Sequence, residues 1–241
     1  MSLAITGASD CESNSRSPGF ALISPRRWQG RLILVVLLLG PAWFLDRPLA
    51  ERNPRQHNIR LVEKFRDAAR QFGEPFCAFW LAIAVWFIDP SRRRPLVLAL
   101  VATMFAGLIA NSLKLAIGRE RPIVSDGHTV IRGPQWPGEM RPDPSFPSGH
   151  TVSAFALAYG MSRIFPRGLG VFVFFAAACG VSRFLGDTHF LTDVIAGAWV
   201  GWEAARAVWD WGLAPVIRWI DARIPAFSWY PRWNWDLSVP A

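Results

Sequence analysis

Lysine is nearly missing from this chain: of 26 basic residues, only Lys64 and Lys114 are not arginine. Cysteine is scarce as well. Cys11, Cys77 and Cys179 are odd in number, far apart and without metal-ligand spacing, and two of them lie in apolar runs, so no disulfide framework is read and buried free thiols are expected. Acids are outnumbered, 18 against 26, and no carboxylates cluster at metal-ligand spacing. No internal repeat, heptad pattern or low-complexity stretch is present, which removes solenoids and coiled coils from the candidates.

What remains is apolar. Hydrophobic residues make up 51% of the 241, tryptophans number 13, and the mean hydropathy is +0.21, a composition that suits one compact membrane domain with polar loops. In such a chain the formal charge of +8 points to anionic lipid or an anionic substrate ahead of nucleic acid. Lys114, set inside an apolar run of an otherwise arginine-based chain, requires a reason.

Two runs, Pro95 to Leu113 and Pro144 to Ser162, each hold 19 residues without Asp, Glu, Lys or Arg, close to the ~20 needed to cross a bilayer. Leu32 to Leu45, Pro75 to Ile88 and Gly168 to Ser182 are shorter and must borrow flanking residues or snorkelling arginines. A sixth, from about His189 to Trp209, carries Asp193 near one end and Glu203 and Arg206 near the other, and its Gly197 and Gly201 favour close helix packing. The fold expected is therefore all-α: a polytopic membrane bundle of six transmembrane helices over residues 26–210. A disordered tail, 1–25, precedes it, and an interfacial C-terminal segment, 211–241, follows.

Arg26, Arg27 and Arg31 ahead of the first run resemble a signal peptide, but no small-residue cleavage site follows, and the run is read as a helix. Six spans put both termini on one side, and the arginine-rich connection from Asp89 to Pro95, with the arginines before the first span, argues that this side is the cytoplasm. Segment 46–74, placed outside by this scheme, is itself net basic and argues the other way. In either orientation the end of span three, the start of span four and the junction of spans five and six share one face, which for cytoplasmic termini is the periplasmic one.

Those three places carry the chemistry. In "KLAIGRERP", Lys114 and Arg121 stand two helical turns apart, able to close an ammonium and a guanidinium on one phosphate, although a snorkelling lysine with basic flanks is the bland alternative. Pro147-Ser148-Gly149-His150 opens a span, where a helix N-terminus offers unpaired N–H groups and a close approach at glycine, and His150 is placed to give a proton to a leaving oxygen. In "SRFLGDTHFLTD", His189 and Asp193 are four apart, so on a helix the carboxylate would hold the imidazole in one tautomer, and Arg183 would add a fork of donors. A proton relay in a lipid or anion carrier is the functional rival.

Together the three stretches resemble the type 2 phosphatidic acid phosphatase superfamily, PAP2, in its membrane lipid phosphatase branch. Lys114, Arg121 and Pro122 match Lys-x6-Arg-Pro, residues 147–150 match Pro-Ser-Gly-His, and Ser182, Arg183, His189 and Asp193 match Ser-Arg-x5-His-x3-Asp. The resemblance implies a phosphatase without metal or other cofactor. In it His189 is the nucleophile that forms a phosphohistidine, Asp193 orients it, and His150 is the general acid and base. Lys114, Arg121, Ser148, Gly149 and Arg183 hold the phosphate. Asp187 is expected to be structural. The implied partner is a membrane lipid phosphate in the bilayer, whether phosphatidic acid, phosphatidylglycerol phosphate, polyprenyl pyrophosphate or lipid A. The loop 123–143, with His128, Arg132, Trp136 and Arg141, is expected at the headgroup.

Overall fold

A computed structural model describes residues 28–52, 60–134 and 144–212. Every regular element among them is helical: α1 (Trp28–Arg52), α2 (Arg60–Arg70), α3 (Pro75–Ile88), α4 (Arg93–Ile117), α5 (Gly149–Ile164), α6 (Leu169–Leu185) and α7 (Leu191–Ala207). A single backbone bridge joins Arg119 to Ile131 in the segment after α4. The chain divides into two units at Leu34, and every contact of the site lies in the unit from Val35 onward.

Local chemistry sets the helix ends near the site. α4 stops at Gly118, whose left-handed backbone (φ 60°) lets its N–H donate to the Lys114 carbonyl at 2.9 Å. α5 starts after Pro147, with Ser148 extended at its N-cap. α3 starts at Pro75, a residue suited to the first helical position. At α7 the Asp193 side chain reaches back to the Phe190 N–H at 2.8 Å, satisfying a donor that the helix leaves open.

α5 is the central helix, packed on α4, α6 and α7. Small residues make that packing close. Ala99, Ala102, Ala106 and Ala110 form a sealed stripe on α4, and a Cβ on Gly160 of α5 would fall 2.6 Å from the Ala99 Cβ. The Gly197 and Gly201 pair meets α5 from α7: added Cβ atoms would lie 2.9 Å from the Ser148 carbonyl oxygen and 2.2 Å from that of Val152. Large apolar side chains point the other way, with Phe44, Phe87, Ile88, Met104, Leu108 and Phe174 exposed. Small residues inside and large apolar ones outside is the arrangement of helices packed in lipid.

Among the described residues, three helical stretches are long and apolar enough to cross a bilayer, Gln29–Arg52, Pro90–Ile117 and Pro166–Leu185. A fourth is added if Arg60–Gly73 and Pro75–Ile88, bent by 63° at their junction, are one span. The expectation of six is met only to that extent. α5 and α7, 16 and 17 residues long, fall short by length. The apolar run from Pro144 loses its first residues to non-helical backbone around Pro147, and α7 begins at Leu191 rather than at His189. α2 is a helix that hydropathy did not suggest; it is strongly amphipathic, with Leu61 and Phe65 exposed and no residue buried. The tail 1–25 and all of segment 211–241 past residue 212 lie outside the described residues.

Candidate active site

The last turn of α4, the first turn of α5, the last turn of α6 and the turn before α7 meet at one end of the helices. Lys114, nearly buried on α4, comes against the start of α5, its Nζ 3.9 Å from where a Gly149 Cβ would stand. The Ser148 N–H donates to the Asp193 carbonyl at 3.1 Å, so the second and third motifs are joined through backbone. Ser148 is sealed, and its hydroxyl accepts from Thr151 Oγ1 at 2.9 Å while keeping its own hydrogen to donate. The positive charges of Arg121 and Arg183 act on His189, and those of Arg183 and Lys114 act on His150. Arg183 Nε is a buried donor without a hydrogen-bond partner among the described residues. The three motifs thus converge, as the sequence led us to expect.

His189 lies in the turn ahead of α7, not on the helix, and is 2% exposed. Its Nδ1 is 2.8 Å from the Ser145 carbonyl oxygen. A carbonyl only accepts, so the proton of the neutral ring sits on Nδ1 and Nε2 keeps its lone pair. Burial holds this imidazole well below the usual histidine range, at about 4, with the Asp193 charge opposing and the Arg121 and Arg183 charges adding to the effect. His189 is therefore neutral near pH 7.

Asp193 does not take the imidazole in the way helical spacing implied. Its Oδ2 is 3.7 Å from His189 Nδ1, beyond a hydrogen bond. That oxygen accepts instead from the Phe190 N–H and from the Ser145 hydroxyl. Ser145 is the intermediary: its N–H donates to the Arg119 carbonyl at 2.7 Å, its hydroxyl to Asp193, and its carbonyl accepts from His189. The reason is that His189 is non-helical, so the i, i+4 relation does not bring the two side chains onto one face.

Behind Asp193 stands a second layer that motif reading missed. Arg119 Nη1 donates to Asp193 Oδ1 and to Thr192 Oγ1, each at 2.7 Å, and Nη2 donates to Asp46 Oδ2 at 2.9 Å and Thr129 Oγ1 at 3.0 Å. Its guanidinium lies 3.9 Å from the Phe190 ring centroid and 5.1 Å from that of Trp43. Asp46 also accepts from the Thr192 N–H at 3.0 Å and from its hydroxyl. An acid at the edge of an apolar run is by default a functional candidate, and that signal was present at Asp46.

On the other side, His150 Nε2 is 2.8 Å from Glu74 Oε1. In the loop after α4, Arg132 is exposed and paired with Glu120, and His128 is exposed, its N–H donating to the Ser125 carbonyl at 2.9 Å. Trp136 and Arg141 lie outside the described residues. Asp187 is buried, with a left-handed backbone (φ 55°) in the turn that carries His189.

The chain is similar to known proteins. The chain is 29% identical over 199 residues to a protein named lipid A 1-phosphatase from Rhizobium etli, covering 74% of this chain and 82% of the relative. It is 30% identical over 189 residues to another of that name from Rhizobium johnstonii, covering 72% and 76%. The solved structure of the first transmembrane PAP2 type phosphatidylglycerolphosphate phosphatase from Bacillus subtilis shares the fold at a TM-score of 0.55 and 19% identity, over 80% of this chain and 94% of that one. The family model of the PAP2 superfamily matches residues 95–215, which hold all three motifs, and this chain belongs to that superfamily.

Proposed function

We propose that the chain is a bacterial membrane phosphatase that hydrolyses a lipid phosphate through a phosphohistidine on His189. The observation that carries the proposal is the Ser145 carbonyl on His189 Nδ1, which leaves Nε2 as a neutral nucleophile at the end of the bundle where Lys114, Arg121 and Arg183 gather. Nε2 attacks phosphorus, the bond to the lipid oxygen breaks, and His150 gives that oxygen a proton. Neutral His150 then takes a proton from the water that attacks the phosphohistidine, releasing phosphate and restoring His189. Lys114, Arg121, Arg183, the Ser148 hydroxyl and the N–H at Gly149 hold the non-bridging oxygens as charge shifts. The sequence offers no metal-ligand pattern for this step, and the proposal assigns it to these cations and N–H donors alone.

The site lies at the ends of helices whose outer faces are apolar, which suits a substrate whose tails stay in the bilayer. Among lipid phosphates we favour the 1-phosphate of lipid A, because two relatives of that name align over most of their length. We place the site at the periplasmic face of the inner membrane. The test is phosphate release in EDTA by detergent-purified protein from lipid A, phosphatidylglycerol phosphate, phosphatidic acid and polyprenyl pyrophosphate, beside His189→Ala. Release from lipid A by the wild type alone is expected. Release from another lipid only would reassign the substrate, and lipid movement without hydrolysis would replace the enzyme with a carrier.

A further inference from the structure

Glu74 belongs to none of the three motifs. It stands at the N-cap of α3, where a short side chain ordinarily accepts from the N–H groups of the first turn. Its carboxylate makes no such bond to α3. It lies instead on His150 Nε2, 2.8 Å away and 76 positions along the chain. The break between α2 and α3 is fitted against His150 as well. A Cβ on Gly73 would come within 2.4 Å of the His150 carbonyl oxygen, so glycine is needed for this approach. Cys179 of α6 lies against both sides of the contact, its Sγ 3.7 Å from the Arg70 carbonyl oxygen and 3.8 Å from that of His150.

We propose that Glu74 is a positioning residue for His150, fixing the ring by its Nε2 and stabilising the protonated imidazole that gives its proton to the leaving oxygen. The inference rests on the general-acid role assigned to His150 above. His150, on the first turn of α5, lies outside the three stretches long enough to cross a bilayer. The groups facing its ring are Glu74 from the break before α3, Arg183 from α6 and Lys114 from α4, with the Cys179 thiol close by. Burial first, and then the two cations that suit a phosphate, oppose a proton on this histidine. Glu74 is the carboxylate that offsets them. Without it, the groups that bind substrate would discharge the acid that the first transfer needs.

The experiment is the pH dependence of kcat/KM for phosphate release by the full chain in detergent, for wild type, Glu74→Gln and Glu74→Asp. A separate reaction quenched in base traps radiolabelled phosphoenzyme from the same lipid. Glu74→Gln keeps the shape and an acceptor but loses the charge, so its alkaline limb should fall by about one pH unit, with activity on the acid side within a few fold of wild type. Glu74→Asp should keep the alkaline limb at the wild-type position while turning over more slowly. An unchanged limb in Glu74→Gln overturns the inference, even where the wild type forms phosphohistidine and the function stands. Absence of label on wild-type His189 overturns the function instead. If Glu74→Gln does not fold, the wild-type and Glu74→Asp pair decides, and a limb displaced by a full unit in Glu74→Asp refutes the role.

Discussion

Arg119 and Asp193 form an ion pair sealed from solvent, Nη1 to Oδ1 at 2.7 Å, although Arg119 comes from the same short stretch as Lys114 and Arg121. The stretch divides its cations between two tasks. Arg119 faces the carboxylates of Asp193 and Asp46, and Arg121 acts on the ring of His189. Removing one partner of a buried pair leaves an uncompensated charge, so Arg119→Met, which strands two carboxylates, is expected to cost about 3–5 kcal/mol of stability. Thermal unfolding in detergent measures this. A variant as stable as wild type would contradict it.

Ser145 links Asp193 to His189, and Ser145→Ala deletes the hydroxyl while leaving the carbonyl that holds Nδ1. The loss of one buried hydrogen bond, worth about 1 kcal/mol, predicts a kcat roughly five- to tenfold lower with KM little changed. A loss as deep as that of His189→Ala would mean that the carbonyl alone does not set the tautomer.

Acid should act on stability and activity through His189. Its folded value, about 4, lies below the ordinary value near ~6.5, so the unfolded chain takes up the proton first. The stabilising contribution is complete above about pH 6.5 and is lost as pH falls toward 4, by roughly 3 kcal/mol in all. His189→Gln should show a shallower fall over that window, and parallel curves would contradict it. For the same reason, the acid limb of activity belongs below pH 5. A limb near 6.5 would show that the nucleophile is not buried neutral.

Gly201 carries no chemistry, yet its added Cβ would meet the Val152 carbonyl oxygen at 2.2 Å. Gly201→Ala is expected to lower stability by about 1–3 kcal/mol through forced separation of α5 and α7. The molecules that remain folded should keep the wild-type pH profile. Full stability would mean that the two helices separate freely.

Much of the site was legible because its residues sit in three short motifs with fixed spacing, and the apolar runs place those motifs at one end. Glu74 and Ser145 were not, since each meets its partner across 76 or 44 positions and no local pattern links them, and Asp46 showed only as an acid beside an apolar run, with no sign of its partner 146 positions away. Spacing also misled at His189 and Asp193, where the i, i+4 relation assumed a helix that begins two residues later. Hydropathy counts apolar residues but not where proline stops a helix, so the run from Pro144 looked like a full span. Its first residues instead form the loop that carries Ser145. α2 was missed because its polar face outweighs the exposed Leu61 and Phe65.

The measurement that bears most directly on the central claim is trapping the covalent intermediate. Wild-type protein and His189→Ala are each mixed with phosphate-labelled lipid A in EDTA, quenched in base and mapped by peptide. Label that is stable to alkali, labile to acid and confined to the peptide holding His189 is the predicted result, with none in the variant. Phosphate release by wild type with no label on that peptide, or equal turnover by His189→Ala, would contradict it.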